Sequence, residues 1–285
     1  MEMMHRISLA SLSFLLVSTF AFAKQIEKED LNPKTFSGIV RCMEKCDPQD
    51  AVDLGMRMTG SEASFDDRFA CRGVDEGWAI DYSSRRSRAM LHGGIDIPAP
   101  RNTPILAVAD GTVIAMFDNH ETAVGVRVFL QHTPEQTGKP FWVYSEYAHL
   151  LELPPLSIGQ PVKRGDEVGR TSNTGISGQE ARARAGDATM SGRGGVRRNA
   201  LHFSIMYSDS PDYVVLKKNG GYLVPVGARW MDPVVFYRNM PPYDSDAIVS
   251  LSPMDKKVAI PFQTTGGELH PGASKLIWPY ACTPR

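Results

Sequence analysis

Several familiar sources of function are missing from this sequence of 285 residues. It has no His-Glu-x-x-His pair, no Gly-x-Ser-x-Gly elbow and no Gly-x-x-x-x-Gly-Lys phosphate loop, so the chemistries that depend on those motifs find no support. An excess of one charge is also lacking, because 31 basic residues face 32 acidic ones. The bulk charge therefore gives no indication of nucleic acid or an anionic membrane as a partner.

Long apolar runs are absent after the N-terminus. The one candidate is the uncharged run 7–23, which follows His5 and Arg6 and ends in Ala21-Phe22-Ala23. It is too short and too rich in serine for a membrane-spanning helix of roughly 20 apolar residues, and it ends in a small-x-small cleavage signal. We predict a signal peptide over 1–23 and an exported protein with no membrane span in the mature chain. The periplasm is the favoured compartment, and full secretion is the alternative.

Cysteine is scarce, and an even number is present: Cys42, Cys46, Cys71 and Cys282. In an exported chain this predicts two disulfides, for which three pairings are open. Zinc binding by the cysteines is the alternative, but a Cys-x3-Cys with no second pair nearby is weak metal spacing. We favour Cys71 with Cys282, which would tie the C-terminal tail to the start of the core domain.

The outer parts of the chain differ from its centre. Residues 24–90 begin with a helix-like pattern and end in a polar connector, and residues 239–285 are Pro-rich and predict an irregular tail. The central segment, 91–238, alternates short Val-, Ile- and Tyr-rich runs with turn residues, which predicts a mainly β domain with an antiparallel sheet. The strand-like runs are Ile105 to Phe117, Gly125 to Gln131, Phe141 to Leu150, Gln160 to Arg170 and Leu201 to Tyr207.

Two local patterns inside this domain carry further predictions. Asp110-Gly111 lies between two apolar pairs and predicts a hairpin turn. Residues 177–199 are rich in Gly, Ala and Arg and predict a loop. That loop could act as a lid or hold substrate carboxylates, and a flexible solvated insertion is the simpler interpretation.

Three separated segments offer metal-binding or catalytic side chains. His92-Gly93-Gly94-Ile95-Asp96 supplies an imidazole and a carboxylate, both common zinc ligands. In Ala200 to Ile205 the strand alternation places Leu201, Phe203 and Ile205 on one face and His202 on the other. A third stretch, Tyr144 to Leu150, ends with His149. The simpler interpretation of each histidine alone is a structural one, bonded to backbone.

Taken in order, these segments resemble the lysostaphin-type zinc endopeptidases of bacterial cell walls. The resemblance rests on His92 to Ile97 with Gly111-Thr112-Val113, on Tyr147 to Leu150, on Leu201-His202-Phe203 and on the glycine-rich turns at 162–166 and 169–175. It covers about half of the chain. It implies a barrel-like sandwich of the duplicated hybrid motif type and peptidoglycan peptides as the substrate.

The resemblance also implies roles for individual residues. One Zn²⁺ would be held by His92, Asp96 and His202, with the fourth position open to water, and His149 would be a catalytic histidine beside it. The family usually has a second catalytic histidine at the position of Ala200, and often a glutamate at the position of Ser204. The alternative is therefore a catalytically weakened protein that binds the wall or regulates a partner wall hydrolase.

Two other histidines are weaker candidates. His120 and His132 both lie close to turn residues, and we predict surface or turn positions for them and not ligand roles.

Overall fold

A computed structural model describes residues 23–40, 48–75, 92–120, 124–175, 199–217 and 220–285. The predicted signal peptide up to residue 22, the cysteines Cys42 and Cys46 and the predicted loop up to residue 198 lie outside these ranges. Within the described ranges, no helix combines the length and the apolar character needed to cross a membrane.

The N-terminal extension is partly helical, as predicted, and also contains two short strands. After a 3-10 turn at Lys28–Asp30 it forms α1 (Pro33–Val40), α2 (Pro48–Asp53), β1 (Glu62–Ser64) and β2 (Phe69–Ala70).

Strands are the main regular elements that the structure describes in the central segment. They are β3 (Ile95–Pro98), β4 (Pro104–Leu106), β5 (Gly111–Phe117), β6 (Val126–His132), β7 (Trp142–Leu150), β8 (Pro161–Val162), β9 (Glu167–Arg170), β10 (Ala200–Ser208), β11 (Tyr213–Leu216), β12 (Tyr222–Pro225) and β13 (Arg229–Met231). A single short helix, α3 (Pro134–Thr137), lies between β6 and β7; Thr133 caps its start in a capping box with Gln136.

A seven-stranded sheet forms the centre of the fold. Its strand order is β13-β10-β7-β6-β5-β8, with β3 added to one end of β10. Each of these neighbouring pairs is antiparallel. The prediction of a mainly β protein with an antiparallel sheet is confirmed.

The two faces of this sheet follow the alternation read from β10. Leu201, Phe203 and Ile205 belong to one face, where Phe203 packs against Tyr147 of β7. His202 belongs to the other face, directly across from Ala148. We call this second face, which also carries Ser204 and Met206, the site face. Both faces are covered, since every residue of β10 except Tyr207 is buried.

The N-terminal extension covers part of the site face. Trp230 of β13 pairs with Met206, and its Nε1 donates a hydrogen bond of 3.0 Å to the carbonyl of Gly38 in α1. The β11–β12 hairpin also lies against α1, with Tyr222 and Ile39 lining one small cavity next to Trp230. The helices therefore close one end of the site face.

The C-terminal segment is more regular than the Pro-rich composition predicts. After a 3-10 turn at Val235–Tyr237 it forms α4 (Ser245–Val249), β14 (Lys257–Ala259), β15 (Phe262–Gln263), β16 (Leu269–His270) and β17 (Thr283–Pro284). Strand β14 pairs in parallel with β1, and β17 pairs with β2. The connector and the tail therefore order each other, a long-range effect that local composition does not register.

The favoured disulfide is confirmed. Cys71 is bonded to Cys282, which joins the end of β2 to the start of β17 across 211 residues of sequence. The bond thus links the two extensions to each other beside the central sheet.

The hairpin predicted at Asp110-Gly111 is wrong. Strand β4 pairs with β9, whereas β5 pairs with β6 and β8, so the two apolar runs do not meet. Asp110 instead accepts hydrogen bonds from the Arg164 amide and from Lys163 Nζ, at 2.9 and 3.2 Å. Gly111 has another reason to be glycine, because a β-carbon there would lie 2.7 Å from the ring of His132.

Candidate metal centre

Three side chains converge where β3 runs beside the start of β10. His202 and Asp96 are directly paired in that ladder, and His92 lies four residues before Asp96 in the loop that enters β3. His202 Nδ1 is 3.0 Å from His92 Nε2 and 3.1 Å from Asp96 Oδ1, and His92 Nε2 is 3.3 Å from Asp96 Oδ1. The three predicted ligand atoms form a nearly equilateral triangle.

This triangle is buried. The exposed fractions are 4% for His92, 7% for Asp96 and 3% for His202. Burial alone would raise the pKa of Asp96, but hydrogen bonds and charge from His202 and His92 outweigh it and hold that pKa well below its usual range. Asp96 is therefore a carboxylate over the whole physiological pH range.

The donor set fits a zinc ion. Ligand atoms held about 2.1 Å from a tetrahedral zinc lie roughly 3.4 Å from one another, close to the three separations found here. As metal ligands, the two imidazoles would each present a lone pair and Asp96 a carboxylate oxygen, and a cation between them would offset their mutual repulsion. Among the residues that the structure describes, these three form the one cluster with metal-ligand geometry.

His149 lies beside this triangle in an unusual backbone conformation. Its φ of +62° is in the left-handed region, which a non-glycine residue adopts at some cost. Two backbone hydrogen bonds hold it there: its N–H donates to Val124 O, and its carbonyl accepts from the N–H of Ser172, both at 3.1 Å. The ring centroid lies 5.8 Å from that of His202.

The hydrogen bond of the His149 ring decides which nitrogen is basic. Nδ1 lies 2.9 Å from the carbonyl oxygen of Thr174, and a carbonyl can only accept, so Nδ1 carries the proton. In the neutral ring Nε2 then keeps its lone pair. The arrangement gives His149 the form needed to accept a proton through Nε2.

Ala200 is the first residue of β10, two positions before His202. It is buried, pairs with Pro98, and donates its N–H to the carbonyl of Ser172. The same Ser172 donates to His149, and its hydroxyl accepts from Arg101 Nη1 at 2.7 Å. Position 200 therefore offers no side chain for proton transfer, and Arg101 is a cationic side chain near it that sequence reasoning missed.

A buried ion pair between β6 and β7 lies beside Ser204 of β10. Arg127 Nη1 donates to Glu146 Oε1 at 2.8 Å, and both side chains are only 2% exposed. Ser204 Oγ donates to the other Glu146 oxygen at 2.6 Å. Glu146 of the neighbouring strand therefore places a carboxylate beside Ser204. The sequence signal for this pair was an arginine at the apolar start of β6.

The two weaker histidine candidates behave differently. His120 is exposed and lies near Asp118, as predicted. His132 is fully buried, so the prediction of a surface or turn position is wrong for it. Its Nδ1 contacts Asp110 O at 2.7 Å and its Nε2 contacts Ser145 Oγ at 2.8 Å, on the face opposite the site. Burial lowers the pKa of His132 to about 4.

The fold and this site define a class: a β-sheet protein with a buried His-Asp-His triangle suited to one divalent metal. Residues 90–213 match the model of peptidase family M23. The predicted resemblance is confirmed.

Known proteins similar to the chain match parts of it. The peptidoglycan DD-endopeptidase ShyA of Vibrio cholerae is 34% identical over 109 residues, which is 36% of this chain and 23% of ShyA. The chain thus spans about a quarter of that relative's length. Among solved structures, the catalytic domain of lysostaphin from Staphylococcus simulans is 19% identical and aligns over 49% of this chain and 84% of that one, with a TM-score of 0.34. A zinc-containing peptidase from Vibrio cholerae is 21% identical over 52% of this chain and 37% of its own, also with a TM-score of 0.34.

Proposed function

We propose that the chain is an exported zinc metalloendopeptidase that hydrolyses peptide bonds in the stems or cross-links of peptidoglycan. The observation that carries this proposal is the buried triangle of His92 Nε2, Asp96 Oδ1 and His202 Nδ1, with sides of 3.0 to 3.3 Å. Its position inside an M23 domain supports a peptidase in place of a structural metal site.

The roles divide among four side chains. His92, Asp96 and His202 would hold one zinc and leave a fourth position open. Zinc in a three-ligand site acidifies water and polarises a carbonyl, which is the chemistry that peptide hydrolysis needs. His149 would accept a proton at Nε2 while its Nδ1–H stays on the carbonyl of Thr174. That hydrogen bond also stabilises the imidazolium form.

The substrate class comes from the domain and its named relative. ShyA is a peptidoglycan DD-endopeptidase, and 36% of this chain matches it. An exported location, which the predicted signal peptide would provide, brings such an enzyme to its substrate. Both the wall peptide and the compartment are part of the proposal.

A second function is favoured by one observation, the buried Ala200 at the position of the second catalytic histidine. In this alternative the protein still holds the metal but hydrolyses wall peptides slowly or not at all. It would instead bind wall peptides or regulate a partner hydrolase. The two functions share the metal site and differ in the rate of cleavage.

Digestion of isolated peptidoglycan separates them. Purified protein is incubated with the wall preparation, and the new amino termini are counted and identified by mass spectrometry. The wild-type protein should release new termini. Wild-type protein treated with a chelator and the His149→Ala variant should not. If the protein binds the wall in a zinc-dependent way but releases no new termini, the peptidase proposal is rejected in favour of the wall-binding function.

A further inference from the structure

The C-terminal segment, which follows the part of the chain that matches family M23, contacts residues that support the proposed metal centre. The segment 276–282 runs between two neighbours: the Leu106 amide donates to Pro279 O, and the Cys282 amide donates to Gln263 O, at 2.9 and 2.8 Å. Tyr280 lies within this segment and is 1% exposed. Its hydroxyl is 2.7 Å from Thr171 Oγ1.

The carbonyl of Thr103 fixes which hydroxyl donates in the hydrogen bond between Tyr280 and Thr171. Thr171 Oγ1 donates to the carbonyl of Thr103 at 3.1 Å, so its one proton is already used. The Tyr280 hydroxyl must therefore donate to Thr171. Burial raises the pKa of Tyr280, which keeps this proton in place.

The hydrogen-bond partner of Tyr280 lies next to a residue that contacts both His149 and β10. Thr171 immediately precedes Ser172, whose amide donates to the carbonyl of His149 and whose carbonyl accepts from Ala200. One phenol thus connects the strand of a metal ligand to the segment that fixes His149.

The disulfide brings a second contact to the same centre. Four residues after Cys71, the amide of Asp75 donates to the carbonyl of the ligand Asp96 at 3.0 Å. The two arms that leave the disulfide are also joined to each other, since Trp278 Nε1 donates to Arg72 O at 2.8 Å. One arm therefore reaches Asp96 and the other reaches the supports of His202 and His149.

We propose that Tyr280 is a positioning residue of the zinc centre, acting through Thr171 and Ser172 and held in place by the Cys71–Cys282 arms. The C-terminal extension then contributes to metal affinity although it supplies no ligand. This inference rests on the proposed function only in taking the three predicted ligands as the zinc site.

The test compares two phenylalanine variants of buried tyrosines that hold the same tail. Tyr280→Phe removes the hydroxyl that donates to Thr171 Oγ1. Tyr237→Phe, the matched control, removes a hydroxyl that donates to Ile277 O in the same segment at 3.0 Å. Zinc dissociation constants are measured on the full mature chain by competition with a chelator, and cobalt-loaded proteins give the visible spectrum of the ligand field.

We expect Tyr280→Phe to weaken zinc binding by about tenfold and to shift the cobalt spectrum, as changes behind metal ligands typically do. The zinc dissociation constant of Tyr237→Phe should stay within about twofold of the wild-type value, even if its melting temperature falls as much as that of Tyr280→Phe. Equal zinc affinities and spectra for wild type and Tyr280→Phe would overturn this inference alone. Full zinc binding without peptidoglycan cleavage would overturn the proposed function alone, and no zinc binding by wild type would overturn both.

Discussion

Gly94 lies against the ring of His202, with no room for a side chain between them. A β-carbon at position 94 would stand 2.7 Å from His202 Nε2 and 2.6 Å from the carbonyl oxygen of Phe203. Glycine at this position therefore allows the loop after His92 to lie directly against β10 at His202.

Replacing Gly94 by alanine should move the ring of His202 out of the triangle. We expect Gly94→Ala to raise the zinc dissociation constant at least about tenfold. Gly73→Ala is the matched control, because a β-carbon at Gly73 meets nothing within 4 Å. Zinc titration of both proteins checks the prediction, and an unchanged affinity in Gly94→Ala would show that the loop can yield.

The buried Arg127–Glu146 pair should be costly to break from one side. Glu146→Ala leaves the Arg127 guanidinium without its carboxylate, for which we expect a loss of about 3 to 5 kcal/mol in the free energy of unfolding. Glu167→Ala is the control: Glu167 pairs with Arg170 at 2.7 Å on the surface, where the cost should be about 1 kcal/mol or less. Urea denaturation measures both, and similar losses would contradict the structural role given to the buried pair.

His132 should make stability depend on pH. The pKa of His132 is about 4 in the folded protein, below the usual 6.5. Between these two pH values the folded state therefore binds fewer protons than the unfolded state. The stability that is present above pH 6.5 is lost as the pH falls toward 4. Between pH 7.5 and pH 5 the loss from this residue is about 2 kcal/mol.

The check on His132 is urea denaturation of wild type and His132→Gln at both pH values. The variant starts less stable at pH 7.5 because it loses the fitted contacts to Asp110 and Ser145, but its further loss on acidification should be smaller by that amount. Parallel pH dependences in the two proteins would mean that His132 is not the titrating group.

Ala200→His tests whether the centre is weakened by the missing imidazole. Position 200 is two residues from His202, about 7 Å along β10 and on the same face. A restored proton-transfer group should raise kcat for wall peptides by about a hundredfold without changing zinc content. Ala200→Asn, which adds polarity without a titrating group, is the control. An Ala200→His protein no faster than wild type would indicate that another group already supplies the function.

The sequence predicted those features that depend on local pattern. Alternation in 200–205 put His202 and Leu201 on opposite faces, and the ordered motifs singled out the three residues that now form a triangle. The Val-, Ile- and Tyr-rich runs located β6, β7 and β10 to within about one residue at each end, but two of the runs each contained two strands, and no run covered β3 or β13. The face assignment held because it depends on side-chain direction within one strand, whereas the three ligand candidates came from the resemblance.

Features that depend on contacts between distant segments could not be predicted in this way. The positive φ of His149 is accompanied by hydrogen bonds to Val124 and Ser172, and the parallel pairing of β1 with β14 joins the N-terminal and C-terminal extensions. The Asp110-Gly111 pair has the composition of a hairpin but links strands that pair elsewhere. In each case tertiary contacts, not the local sequence, decide the conformation.

Native mass spectrometry of the purified mature protein with added zinc, beside His202→Ala, tests the central claim most directly. The account predicts one zinc per wild-type chain and none in the variant, with both proteins folded by circular dichroism. A folded wild-type protein that binds no zinc, or a His202→Ala protein that binds it as tightly, would contradict the assignment of His92, Asp96 and His202 as the metal centre.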